Sequence, residues 1–242
     1  MFSKQIVTYN HHMRYIVYTF FLDFTCGIKP SSRIVGGSEA SPYSIPWQVQ
    51  LNLFGLWPFH ACGGTLISPR HVLTAAHCTP YIGDIVVLGE HSLVNSSDGM
   101  VHEICRKTEH PQFINVTNIY QTISYDFSIL HLKKPVDISP RAVPVCLPTS
   151  KMGGDFLIGK MMTVSGWGSL HNASGPMPAN LQFVKVPGIP NEICQQKYDW
   201  LNKTVLPVHL CAGDIDEGGK GACKGDSGGR VLFLLSKLHC LG

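Results

Sequence analysis

The sequence predicts an all-β protein, and three observations carry that prediction. Glycine and proline are frequent, 24 and 16 of 242 residues, which marks many turns. Short stretches of alternating apolar residues recur along the chain at even spacing, the pattern of strands in barrels. The composition, 44% hydrophobic and 14% charged, is that of an ordinary globular chain long enough for one large domain or two small ones.

The elements follow in order. Tyr15 to Phe24 is an apolar run with Arg14 before it; it is too short to span a bilayer and reads as a signal-peptide core within residues 1–25, although Asp23 interrupts it. Residues 26–33 form a short polar segment ending at Arg33-Ile34-Val35-Gly36-Gly37. Trp47 to Leu53 and Gly63 to Ser68 alternate as strands, and Ala75-Ala76-His77-Cys78 should form a short helical turn after Val72-Leu73-Thr74. Ile85 to Gly89, Ile104 to Thr108 and Phe127 to Leu132 are further strands, and Pro135 to Pro148 is an extended connection. Thr163 to Gly168, Leu181 to Val186, His209 to Ala212 and Gly229 to Leu235 continue the β pattern, with a short helix over Pro190 to Tyr198 capped by Asn191.

Charge and cysteine usage narrow the function classes. A net charge of +3 gives no reason to expect nucleic acid or a membrane surface as partner. Nine cysteines without any C-x-x-C pair argue for disulfides rather than zinc, so no metal or cofactor is implied. Four N-x-S/T sequons, at Asn95, Asn115, Asn172 and Asn202, also fit a secreted chain. Of the twelve histidines most are expected to be structural, including His71, His91 and His110, and Asp84 and Asp98 are turn candidates.

Three stretches carry chemistry. Gly225-Asp226-Ser227-Gly228-Gly229 presents a serine among glycines, Thr74-Ala75-Ala76-His77-Cys78 a histidine, and Tyr125-Asp126-Phe127 an aspartate before an apolar run. A serine hydroxyl is a weak nucleophile at neutral pH and needs an imidazole base, which in turn needs a carboxylate to hold its tautomer. Little side-chain bulk around Ser227 would let the backbone N–H groups of Gly225 and Ser227 converge on a developing oxyanion.

In sequence and in order, these segments resemble the chymotrypsin/trypsin family of serine endopeptidases, over about Cys26 to Gly229. The resemblance implies two antiparallel six-stranded barrels with the site between them. It implies Ser227 as nucleophile, His77 as general base and acid, and Asp126 as its orienter. It implies cleavage after Arg33, with the new Ile34 amine pairing with Asp226 to order the oxyanion site, so residues 26–33 would be an activation propeptide and 34–242 the protease domain. It implies disulfides Cys62–Cys78, Cys194–Cys211 and Cys26–Cys146, the last holding the cleaved propeptide. The family pair that would join Met161-Met162 to Phe233 is absent at both ends, and Cys105, Cys223 and Cys240 have no assigned partner.

The resemblance also implies a specificity pocket at Gly221, Ala222 and Lys224. With Gly221 at its floor no carboxylate meets a substrate cation, so an apolar residue is expected before the scissile bond. Glu90 resembles the start of a calcium loop that Asp98 and Met100 do not complete. The implied partners are protein or peptide substrates, an activating protease and protein inhibitors, for a secreted monomer. After Gly229 the resemblance stops: Arg230 stands where the family has Pro, and Ser236 to Gly242 matches nothing. The second barrel is therefore expected to be incomplete at its C-terminus, and the alternative function is a catalytically inactive, truncated homologue acting by binding.

Overall fold

The computed structural model describes residues 3–8, 14–19, 26–27, 38–52, 62–78, 80–94, 98–114, 122–148, 154–170, 175–214 and 225–229. Within them the architecture is mostly β, with a closed six-stranded barrel and a second, smaller sheet.

Strands β1 (Ser3–Thr8) and β2 (Arg14–Thr19) pair as an antiparallel hairpin that the apolar run had not suggested. The other expected leader residues, 1–2, 9–13 and 20–25, lie outside the described residues, and no described helix is long and apolar enough to cross a membrane. Strand β3 (Ser38–Glu39) is short.

The barrel is made of β4 (Gln48–Asn52), β5 (Cys62–Ser68), β6 (His71–Thr74), β7 (Ile85–Leu88), β8 (Met100–Glu109) and β9 (Ser128–Leu132), in the closed order β4-β5-β6-β9-β8-β7. Every pairing is antiparallel, and closure leaves no bare edge. The sequence alternation becomes inside and outside: Val72 and Thr74 point in while His71 and Leu73 lie nearer solvent, and Ser128, Leu130 and Leu132 point in from β9. Val49, Leu51, Leu66, Val72, Val86, Leu88, Ile104 and Leu130 are fully buried inside. The β8–β9 register shifts between Ile104 and Arg106, which leaves Cys105 as the extra, exposed residue of a bulge.

The second sheet comprises β10 (Met161–Gly166), β11 (Gln182–Ile189) and β12 (Cys211–Ala212) in that order, with β3 also pairing β11. The two sheets meet through polar contacts: Ser165 Oγ donates to Gln48 Oε1 at 2.8 Å, and Trp167 Nε1 donates to the His91 carbonyl at 3.1 Å. Trp167 is fully buried in the same apolar cluster as the barrel core.

Helix α1 (Asn191–Tyr198) forms where expected, but Asn191 is not its cap. Pro190 holds the N-cap position without a side-chain hydrogen bond, and Asn191 Nδ2 instead donates to the carbonyls of His209, at 3.0 Å, and Leu206, at 3.4 Å. Tertiary contact has overridden the local capping preference. The disulfides Cys26–Cys146, Cys62–Cys78 and Cys194–Cys211 are all formed. Cys223, Cys240 and the strand expected over Val231 to Leu235 lie outside the described residues.

Candidate active site

His77 sits on a single 3-10 turn, Ala76–Cys78, immediately after β6. The Cys62–Cys78 bridge fastens that turn to β5, so the imidazole stands on a rigid base at the barrel rim. Asp126 precedes β9, which pairs with β6 in a register that sets Thr74 opposite Ser128. The pairing therefore delivers the carboxylate to the histidine.

Two hydrogen bonds join them. His77 backbone N–H donates to Asp126 Oδ1 at 2.8 Å, and His77 Nδ1 lies 2.6 Å from Asp126 Oδ2. A carboxylate oxygen can only accept, so Nδ1 carries a proton, and in the neutral ring that leaves the lone pair on Nε2. Asp126 is 4% exposed, which keeps its carboxylate away from solvent, while the His77 side chain stays partly exposed. Tyr125 just before it has φ 53°, a backbone conformation that non-glycine residues seldom adopt.

The serine segment docks against the barrel through backbone. Gly63 N–H donates to the Ser227 carbonyl at 2.7 Å, and that carbonyl oxygen lies 3.7 Å from Cys78 Sγ, next to His77. Gly225 and Gly228 have φ of 100° and 72°, which explains why glycines flank Ser227. At Gly228 a Cβ would also come within 2.2 Å of Thr74 Oγ1. Asp226 Oδ1 accepts the Gly168 N–H at 2.8 Å, and a Cβ on Gly168 would fall 2.4 Å from the Asp226 carboxyl carbon. The two glycines around Trp167 thus leave room for that carboxylate.

Ser227, His77 and Asp126 are brought to one region, as are Gly225 and Asp226. Arg33, Ile34, Gly221, Ala222, Lys224, Asn95, Asn115 and Asn172 lie outside the described residues. Asn202 is exposed and ends a 3-10 turn in a left-handed conformation. The sequence reading missed Gly63, whose only signal was its place after Cys62. His110, expected to be structural, does pack: its ring stacks on Tyr125 at 4.7 Å and lies against Phe127 at 4.6 Å, on either side of Asp126.

Cys62, His77 and Cys78 converge closely enough to suggest metal ligands, but the two sulfurs are bonded to each other, which removes the thiolates a metal needs. At the loop beginning with Glu90, burial pushes that carboxyl up while its Oε1 accepts the N–H groups of His91 and Ser92. Arg141 lies over the Tyr43 ring and donates to the Asp98 carbonyl, so a guanidinium already supplies a positive charge beside Asp98. Glu90 Oε2 is left buried without a hydrogen-bond partner among the described residues, and residues 95–97 of this loop lie outside them.

The trypsin family model matches residues 34–238, so the family likeness runs past Gly229, where the sequence motifs alone had ended it. The chain is 38% identical over 221 residues to the serine protease filzig of Drosophila melanogaster, covering 86% of this chain and 12% of that protein. To the serine proteinase stubble of the same species it is 32% identical, covering 84% and 27%. To mouse kallikrein 1-related peptidase b1 it is 36% identical, covering 83% and 75%. The chain thus spans only a small part of the two Drosophila relatives. Among solved structures, mouse neuropsin, a serine protease, superposes with a TM-score of 0.69 at 27% identity, covering 81% of each chain. With its closed barrel, its second sheet and these matches, the chain belongs to the trypsin family of serine endopeptidases.

Proposed function

We propose that this chain is a secreted serine endopeptidase made as a precursor. Ser227 Oγ attacks the carbonyl carbon of a peptide bond while His77 Nε2 takes its proton. The negative charge that forms on the carbonyl oxygen is held by the N–H groups of Gly225 and Ser227. His77 then returns the proton to the departing amine, leaving an acyl group on Ser227 that water removes by the same two steps. Asp126 holds the imidazole in the working tautomer throughout. The observation that carries this reading is the doubly hydrogen-bonded His77–Asp126 pair, half-buried beside the docked Ser227 segment.

Cleavage after Arg33 frees the Ile34 amine, which pairs with Asp226; the Cys26–Cys146 bridge keeps the released segment attached. Gly221 at the pocket floor, with Ala222 and Lys224 beside it, gives an apolar preference before the scissile bond. The three disulfides support an oxidising, extracellular setting, with a glycan on the exposed Asn202. Proteins and peptides are the substrates.

The test is to treat the purified full chain with trypsin and then add an active-site serine phosphonate. Labelling of Ser227 that depends on cleavage and is lost in His77→Ala is the expected result. No labelling of the cleaved chain overturns the reading. Gly221→Asp should bring a gain on Arg substrates; the absence of any gain refutes the pocket assignment.

A further inference from the structure

We propose that His209, which comes from the second sheet's side of the site, is a positioning residue for the segment carrying Asp126: in one forced tautomer it ties the Ile123 carbonyl to the Leu206–His209 turn.

The tautomer follows from the partners. His209 Nδ1 accepts the Leu206 N–H at 3.1 Å, so that nitrogen is unprotonated. Its Nε2 lies 2.9 Å from the Ile123 carbonyl oxygen, which can only accept, so Nε2 carries the hydrogen. Both nitrogens are thereby used by the neutral ring, and burial favours that form further. A second bond runs in parallel, from the Thr204 N–H to Thr122 Oγ1 at 3.2 Å. The turn is itself secured by Asn191, whose side chain donates to the His209 and Leu206 carbonyls, and by Gln195 Oε1, which accepts the Val205 N–H at 2.6 Å. It hangs from the strand end closed by Cys194–Cys211.

The segment so held needs holding. Three residues after Ile123 comes Asp126, and between them Tyr125 has φ 53°. Backbone of that kind persists only where its surroundings enforce it. On one flank the His110 ring lies against Tyr125 and Phe127. On the other, His209 and Thr204 fix residues 122 and 123. Asp126 is thus suspended from both halves of the molecule, and His77 orientation depends on where it hangs.

This inference rests on the proposed hydrolase reading, and the experiment separates the two. His209→Gln keeps an N–H donor at the reach of Nε2; His209→Asn keeps an acceptor for the Leu206 N–H but is too short for Ile123. In the cleaved full chain, His209→Asn is expected to lower kcat about tenfold or more with KM little changed, and His209→Gln to recover most of it. The low-field proton resonance of His77 Nδ1–H, which reports the Asp126 contact without turnover, should be retained in wild type and His209→Gln and broadened or lost in His209→Asn. If wild type neither hydrolyses peptides nor labels, the hydrolase reading fails, while the resonance still decides the tie. Equal kcat for Asn and wild type, equal losses in Gln and Asn that track the melting temperature, or a resonance unchanged in every variant overturns the proposal.

Discussion

Replacing Gly63 by Ala should disable the serine segment while leaving the barrel folded. Gly63 has no unusual φ, so the effect is one of space. An added Cβ would stand 2.5 Å from Gly229 Cα and 2.8 Å from Gly229 N, both backbone atoms that cannot rotate away. Ordinary carbon contacts begin near 3.5 Å, so one side must retreat by about 1 Å. β5 is paired on both edges, with β4 and with β6, whereas the 225–229 segment meets it through the Gly63–Ser227 hydrogen bond. The serine segment therefore yields. Overpacking of this kind costs about 1–3 kcal/mol, and the lost hydrogen bond about 1 kcal/mol more. A shift of about 1 Å in a nucleophile costs on the order of 100-fold in rate. The assay is the rate of phosphonate labelling and kcat/KM of the cleaved chain, with the melting temperature measured alongside. Gly159→Ala is the control: its φ is 72°, so it too strains backbone, but no atom lies within 4 Å of its Cβ. It should lower stability modestly and leave labelling alone. Wild-type labelling in Gly63→Ala would refute the claim that the barrel wall seats the nucleophile.

Other outcomes are expected. Asp126→Asn should reduce kcat by about 10⁴-fold, because an amide no longer enforces the Nδ1–H tautomer at a 2.6 Å contact; circular dichroism should stay unchanged. Burial, joined by the nearby Arg106 charge, holds the His71 and His131 pKa values below the ordinary 6.5. Unfolded imidazoles then protonate first as pH falls, so stability is full above about 6.5 and declines below it, and the urea midpoint followed from pH 8 to pH 5 should fall less in His131→Gln. Removing the Cys62–Cys78 bridge by a double Ser substitution should cost about 3 kcal/mol for a loop of 16 residues, read by urea unfolding. After trypsin cleavage at Arg33, the N-terminal fragment should separate on a reducing gel and not on a non-reducing one, because Cys26 is bonded to Cys146.

Local sequence determined the strands and the chemical groups, because a period of two and a serine between glycines are written in neighbouring residues. Val72, Thr74, Leu130 and Leu132 could be assigned to the inner face from alternation alone. Likewise the His77 and Asp126 frames marked the residues that meet, and the resemblance paired six cysteines as the structure pairs them. Three things were decided only when distant segments met. Asn191 left its capping role because the carbonyls of Leu206 and His209 lay within reach. Gly63 had to be glycine because backbone 166 residues further along packs on it, which no local pattern records. His110 and His209, indistinguishable in sequence from other structural histidines, acquired their places from Tyr125, Phe127 and the Ile123 carbonyl. Propensity and motif act over a few bonds; steric exclusion and hydrogen-bond partnership act through space, and only the folded chain brings their two ends together.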